Sequence, residues 1–381
     1  MLRPAGDSHN FGRRVVVDGA RVHKPRTVFW EWLLLSAGSP LRRRFVELGA
    51  PFDFLPDLAF ERPEAIDGGS VERIVLEPLP RTVDRRSLAL VAGRAIALHS
   101  WLGLADLHWE NLVIGAAGDR IVFAPLDVEL IFGDLGMPTE TKLLPDPDPE
   151  YAAICRHAAG VRRLLPWLGK PVEGASIAAI ARAYRETLVF LDRNAASIAE
   201  VFGALPALRT APIRVMLRST EEYVTAGERA LWPPLLDAER VQISRGDVPY
   251  FFRLYGQPGI HWFVDPELRA FETLPLEGDV PQLDRLLRVE RALSSKNRAK
   301  LRDEGLFTVI GAFDHRGLTG RHEDEDLAIT FQRRTLILDL AGEEITARRD
   351  LRAFVESVYL PCECGEVESP FVPAVTRCTS R

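Results

Sequence analysis

Asp106-Leu-His-Trp-Glu-Asn111 is followed, after a Gly118-Asp119 turn, by an apolar run that delivers Asp127-Val-Glu129. Phosphoryl transfer needs three groups at this kind of separation. One carboxylate takes or orients the hydroxyl proton, a carboxamide holds a metal, and a second carboxylate across a hairpin holds Mg2+ between phosphates. Asp106, Asn111 and Asp127 suit those jobs in that order. Acidic side chains are mostly solvated, so a plain surface loop is the alternative. Ile121 to Phe132 is apolar, however, apart from Asp127, Glu129 and Pro125. At strand period two the carboxylates share one face, and two on a half-buried face call for a cation or a hydrogen-bond network. Asn111, Asp127 and Glu129 are therefore the expected metal ligands.

Other elements must position that loop. Ser87 to Leu102 reads as a helix, with Leu88, Ala92, Ala95 and Leu98 at helical spacing, and it leads into the loop. Upstream, Arg13 to Val17 and Ala20 to Lys24 are strands joined at Asp18-Gly19, a strong hairpin signal. Gly6 to Gly12 is a turn-rich approach whose glycines would let backbone come close to phosphate, so Gly6 and Gly12 are candidates for a nucleotide-covering loop; a frayed terminal turn fits equally. Lys24 stands where a strand amine could grip nucleotide phosphates. Thr27 to Ala37 reads as a helix with Trp30, Leu33 and Leu34 on one side. Arg73 to Pro80 resembles a strand whose Pro78 and Pro80 free backbone groups from a ladder. Glu77 and Leu79 are thus the expected cofactor edge.

Beyond the proline-acid break from Leu144 to Glu150, helices are expected over Tyr151 to Leu168, Ser176 to Phe202 and Pro212 to Arg229. Leu327 to Gln332 and Thr335 to Leu340 look like strands, with a helix following from Ala347 to Val358. The expected fold class is α+β in two kinase-like lobes. A small β-rich N-lobe spans residues 1-80, a large helical C-lobe spans 81-305, and 306-381 form a small α/β C-terminal appendage.

Composition excludes several classes. With 46% hydrophobic and 27% charged residues the chain is neither disordered nor collagen-like. A net charge of −6 gives no reason to expect a nucleic-acid surface. No stretch reaches the length of a membrane span and no signal peptide opens the chain, so a cytoplasmic location without a membrane span is expected. The four cysteines do not make a disulfide scaffold: Cys155 stands alone, and Cys362, Cys364 and Cys378 read as reduced surface thiols.

Taken in order, the separated pieces resemble the dehydratase part of class II lanthipeptide synthetases, which has a lipid-kinase-like core. Gly6-Asp7 with His9 and Gly12 is similar to that family's glycine-rich opening. His23-Lys24-Pro25-Arg26 resembles its Tyr-Lys-Pro-Arg motif, Asp106 to Asn111 its catalytic loop, Asp127-Val-Glu129 its Asp-Leu-Glu metal motif, and Leu143-Leu-Pro145 its Leu-Leu-Pro segment. Arg214 to Tyr223 is similar to its Arg-rich helix with a Thr and a Tyr, and Gly246 to Phe251 to its Gly-Asp-Ile-Pro-Tyr-Phe.

The resemblance implies ATP- and Mg2+-dependent phosphorylation of Ser or Thr in a ribosomal precursor peptide, followed by phosphate expulsion to a dehydroamino acid. It implies that Lys24 contacts ATP phosphates and Asp106 acts on the hydroxyl. His108 supports the loop, Asn111, Asp127 and Glu129 hold Mg2+, and Arg214 with Thr220 serve elimination. Read without it, Arg214 and Arg218 are an exposed helical ladder with Glu221 and Glu222. The match spans about residues 6 to 300 and departs from the family in three ways. The segment preceding the glycine-rich opening is absent, Phe132 to Leu143 is shorter than the family's activation segment, and the residues after about 310 are too few for a cyclase and lack its zinc ligands. A separate cyclase or other tailoring enzyme is thus an expected partner. A kinase that stops at the phosphorylated peptide or small-molecule alcohol, and a non-catalytic peptide-binding pseudokinase, are the rival expectations.

Overall fold

The computed structural model describes residues 3–133, 135–145, 159–169, 171–218, 220, 222–223, 235–275, 295–313, 318–332, 335–340 and 343–347. Its fold is α+β, with helices and four antiparallel sheets among the described residues. The first sheet holds β1 (Arg3–His9), β2 (Arg13–Asp18), β3 (Arg21–Lys24), β4 (Phe60–Glu61) and β5 (Gly69–Glu72) in the order β1-β2-β3-β5-β4. Asp18 pairs with Arg21, so the expected hairpin forms, closed by Gly19 at a φ of 54°. The stretch before it is less irregular than its glycines suggest. Gly6 lies inside β1, and the turn is confined to Asn10, Phe11 and Gly12.

Between β3 and β4 run α1 (Phe29–Leu35) and α2 (Pro40–Glu47). Ser39 caps α2, its hydroxyl accepting from Arg42 N at 3.1 Å, with Pro40 at the first helical position. Arg73 to Pro80 is not a strand. It makes only an isolated bridge, in which Glu77 exchanges both backbone bonds with Ala116, and the carbonyl of Leu79 accepts from Trp167 Nε1 at 3.3 Å. The prolines prevent a ladder, but the backbone groups between them find partners inside the protein.

The helix expected over Ser87 to Leu102 is α3 (Arg85–Trp101), capped by Asp84, whose carboxylate accepts from Ser87 N at 2.9 Å. A hairpin of β6 (Leu112–Ala117) and β7 (Arg120–Pro125) follows, then the short α4 (Leu165–Leu168). The helix expected from Tyr151 is, where described, only a tight turn over Gly160–Arg163 and then α4; residues 151–158 lie outside the described residues, as do 146–150 and all four cysteines. α5 (Gly174–Arg193) and α6 (Ala195–Gly203) replace the single helix expected over Ser176 to Phe202. Asn194, at φ −101° and ψ 9°, ends one and begins the other. α3 crosses α5 closely at Gly93, where a Cβ would stand 2.3 Å from the Ile180 carbonyl.

The third element class differs most from expectation. Ile213–Val215 is a strand, β8, rather than the start of a helix to Arg229. Ile213 and Val215 are buried β-branched residues flanking Arg214, a strand pattern at period two. Thr220, Glu222 and Tyr223 are helical, and 224–229 lie outside the described residues. After α7 (Asp237–Ser244) come β9 (Phe251–Arg253), β10 (His261–Phe263) and β11 (Phe271–Thr273), in the sheet order β11-β10-β9-β8.

α8 (Ser295–Ala312) packs on α5, with Tyr184 donating its hydroxyl to the Leu301 carbonyl at 2.8 Å. The last sheet joins β12 (Gly320–Asp324), β13 (Leu327–Gln332), β14 (Thr335–Leu340) and β15 (Glu343–Ala347) in sequence order. The two expected strands are present, but Ala347 ends β15 instead of opening a helix, and 348–358 lie outside the described residues. This region packs on the rest of the protein. The 305/306 boundary falls inside α8, and Leu327, Ile329, Leu336 and Leu338 join the same core as Phe29, Trp30, Leu98 and Ile177. Asp324 locks it, accepting from Arg86 Nε and Arg182 Nε, each at 2.7 Å. No helix among the described residues is long and apolar enough to cross a membrane.

Candidate active site

α3 ends at Trp101, and the chain turns so that Ala105 N reaches the Leu130 carbonyl at 3.0 Å and Leu107 N reaches the Thr141 carbonyl at 2.9 Å. Asp106 is thereby pinned between those segments with a φ of 62°. A non-glycine residue there is strained, and such strain gathers at functional sites. Asn111 braces it, donating Nδ2 to the Asp106 carbonyl at 2.9 Å. His108 caps the turn over Trp109–Asn111, its Nδ1 accepting from Glu110 N at 3.4 Å.

The other side of Asp106 meets a residue that the spacing did not single out. Lys142 Nζ lies 2.5 Å from Asp106 Oδ1, with Lys142 itself at a φ of 64°. Burial pushes the Asp106 carboxyl upward, but the Lys142 ammonium more than offsets it and holds Asp106 below the ordinary carboxylate range. Lys142 was legible only as one charge before the Leu143-Leu144-Pro145 run. Its contact is purely tertiary.

β7 stops at Pro125, so Asp127 and Glu129 stand beyond the strand rather than on it. They meet one group nevertheless, though not through strand period. Arg26 directs Nη2 to Asp127 and Nε to Glu129, the latter at 2.9 Å. Lys24, at the end of β3, places Nζ 2.9 Å from Glu31 Oε1, 2.8 Å from the Leu126 carbonyl and 3.4 Å from Asp127 Oδ1. Glu31, 1% exposed on α1, also binds Arg26 Nη1 at 3.1 Å. Burial raises the Asp127 carboxyl, yet Arg26 and then Lys24 outweigh that and hold it far below its usual range. Leu126 N donates to the Asn111 carbonyl at 2.8 Å, which sets Asp127 beside Asn111.

Arg214 completes the cluster. Its backbone N donates to the Glu129 carbonyl at 2.9 Å, its guanidinium pairs with the Glu129 carboxylate, and it lies 5.6 Å from the Tyr250 ring centre. Burial pulls its pKa down, but Glu129 prevails and raises it. Neither Arg214 nor Arg218 belongs to an exposed helical ladder: Arg218 binds the fully buried Glu239 at 2.9 Å, which also accepts from the Tyr223 hydroxyl at 2.9 Å. Thr220 is half-buried, and no hydrogen bond among the described residues joins it to Arg214.

The turn after β1 sits against this cluster by a different route. Asn10, Phe11 and Gly12 have φ of 47°, 70° and 80°, and the amides of the last two converge on one carboxylate. Asp247 accepts from Phe11 N at 2.7 Å, Gly12 N at 2.9 Å and Ser8 Oγ at 2.7 Å. The Gly12 amide thus meets a carboxylate where a phosphate was expected, and Gly6 is not part of the turn. His9 Nδ1 lies 2.8 Å from the Val248 carbonyl, so that nitrogen carries the proton and Nε2 keeps its lone pair. Burial, then Arg214, lowers the His9 pKa and keeps the ring neutral.

Lys24, Asp106, Asn111, Asp127, Glu129 and Arg214 are therefore brought together, with His108 behind them. Gly12 stands beside them on Asp247, whereas Gly6, Glu77 and Leu79 have structural surroundings. Arg26, Glu31 and Lys142 were missed as functional groups. Arg26 and Glu31 had a signal, since the first opens the apolar run from Thr27 to Leu35 and the second is the one charge inside it. Buried ion pairs contribute little net stability, so their density here points to chemistry. No family model matches the chain, and no curated protein matches it. Function has to be argued from the cluster itself.

Proposed function

We propose that the protein phosphorylates Ser or Thr side chains of a ribosomal peptide with ATP and Mg2+, then eliminates the phosphate to leave a dehydroamino acid, on a two-lobed lipid-kinase-like scaffold. One observation carries this reading. A continuous chain of ion pairs runs from Lys24 through Asp127, Arg26 and Glu129 to Arg214. It joins groups suited to phosphoryl transfer with a buried cation suited to a departing phosphate.

The residues fit the metal. Asn111 and Asp127 offer hard oxygen donors, and Asp127 is 34% exposed, with its contacts to Lys24 and Arg26 both on Oδ1. No group of three or more His, Cys, Asp or Glu that could hold a metal alone occurs among the described residues. Mg2+ takes one or two protein ligands and completes its shell with phosphates and water. Bound Mg2+ would neutralise charge on the transferring phosphoryl group. Glu129 faces Arg26 and Arg214 and is better suited to orienting them than to ligating.

In the first step Asp106 accepts the hydroxyl proton as the oxygen attacks the γ-phosphorus, the bond from that phosphorus to the bridging oxygen breaks to release ADP, and Lys24 holds the nucleotide phosphates. In the second, a base removes the Cα proton, the Cβ–O bond breaks towards phosphate, and the electron pair forms the double bond. Arg214 receives the developing anion. His9, neutral and with Nε2 unprotonated, is a base of suitable form beside it. A kinase that retains its phosphate is the second reading, since no hydrogen bond among the described residues ties Thr220 to Arg214.

Incubation with ATP, Mg2+ and a Ser- or Thr-containing peptide tests the reading by mass. Transient gain of about 80 Da, one phosphoryl group, followed by net loss of one water, is expected. Lys142 gives a second check. Asp106 works deprotonated, so activity is present above its pKa and lost as pH falls through it. Lys142→Met removes the lowering partner, the Asp106 pKa rises, and the acid limb of phosphorylation should move to higher pH. An unmoved limb would show that Lys142 does not control Asp106.

A further inference from the structure

A phosphothreonine side chain is a dianion above its second pKa of about 6. If its Cβ–O bond breaks with no proton on the bridging oxygen, the departing phosphate is a trianion. Arg214 can offset that charge, but a guanidinium does not give up its proton. The elimination therefore calls for a proton donor beside Arg214. His9 is neutral and serves as the base, and Glu129 is a carboxylate held by Arg26 and Arg214. Neither supplies that proton.

Tyr250 stands where the donor is needed. Its ring centre is 5.6 Å from the Arg214 guanidinium and 5.9 Å from the His9 ring, which it meets edge-on at 62°. The residue directly precedes β9, the strand paired with the one that carries Arg214. Its backbone N donates to the buried Gln242 side chain at 2.8 Å, and its ring packs in a cluster with Phe252, Leu254, Phe263 and Leu268. The ring is thus fixed, and the residue is only 2% exposed. Its hydroxyl nevertheless makes no hydrogen bond among the described residues, and the oxygen is not sealed from solvent. A buried phenol ordinarily finds a partner. Tyr184 and Tyr223, also buried, do so on the Leu301 carbonyl and on Glu239. Burial, then Glu129, raises the Tyr250 phenol above its ordinary range against the opposing Arg26 and Arg214, so it carries its proton.

We propose that Tyr250 is the general acid of the elimination, giving its hydroxyl proton to the bridging oxygen as the Cβ–O bond breaks. The assignment rests on the dehydratase reading above. His9 takes the Cα proton, and the electron pair of that C–H bond becomes the Cα–Cβ double bond. The Cβ–O pair leaves with the oxygen, which gains the Tyr250 proton. The imidazolium and phenolate left behind are neighbours, and passage of a proton from one to the other, directly or through one water, restores both. The net change is a Cα proton moved to phosphate.

Tyr250→Phe tests this, because it keeps the ring contacts and removes an oxygen that holds no partner, so the thermal transition should match wild type. A synthetic phosphothreonine peptide is supplied at saturation without ATP, and phosphate release is followed from about pH 8 to about pH 5, either side of the phosphate pKa. At the alkaline end kcat should fall by about 10²–10⁴, the contribution of a positioned acid. As pH falls through about 6 the monoester carries its own proton, and the ratio of wild-type to variant kcat should narrow. Protonation of His9 affects both proteins and cancels in that ratio. A ratio near one throughout, or a deficit that does not change with pH, overturns the assignment and leaves dehydration standing. Wild-type protein that releases no phosphate overturns the elimination reading and the assignment with it.

Discussion

Arg214→Ala is expected to stop the reaction halfway, so that phosphorylated peptide accumulates and dehydrated peptide does not. A cation placed where anionic charge develops is worth about 10²–10³ in rate, and Arg214 is buried, which strengthens its field. Phosphorylation should fall much less, because Glu129 keeps Arg26 at 2.9 Å and Asp127 keeps both Arg26 and Lys24. Arg214→Lys restores charge but not the planar fork and should recover only part of the rate. His9→Gln, which removes the base but keeps a hydrogen-bond donor near Val248, should give the same accumulation. Mass spectrometry of a time course reads all three. Equal loss of both steps in a variant with an unchanged thermal transition would remove Arg214 from the second step.

Asp106→Asn carries the largest expected effect on the first step. A positioned general base contributes about 10²–10⁴, and the amide cannot accept the hydroxyl proton. The substitution keeps an oxygen for Lys142 and leaves the Asn111 contact to the Asp106 carbonyl intact, so the loop should hold its shape. The informative assay supplies a synthetic phosphothreonine peptide. Asp106→Asn should still dehydrate it while failing to phosphorylate the unmodified one. If the variant phosphorylates at the wild-type rate, Asp106 is not the base.

The parts of this site that the sequence announces are local ones. Asp106 to Asn111 is a single loop after a strongly periodic helix, and Gly118-Asp119 closes the hairpin that follows, so spacing alone placed their residues. Arg214 was recognisable as a residue but not as a strand residue. Arg214, Arg218 and Glu222 at helical spacing competed with the Ile213-Arg214-Val215 alternation, and pairing with β9 decided the outcome. The Ser176 to Phe202 stretch is alanine-rich and periodic across Asn194, which hid the break between α5 and α6. Lys142 and Asp247 act through partners far away in the chain. No window of sequence carries that information.

The joining of two chemistries in one cluster is tested most directly by a single-enzyme time course. Protein, ATP, Mg2+ and a Thr-containing peptide are followed by mass spectrometry in one tube. Species heavier by about 80 Da should rise first and then give way to species lighter than the starting peptide by one water, with inorganic phosphate released in step with the second. A phosphorylated peptide that persists after ATP is exhausted, with no loss of water, would contradict the account and leave a kinase in its place.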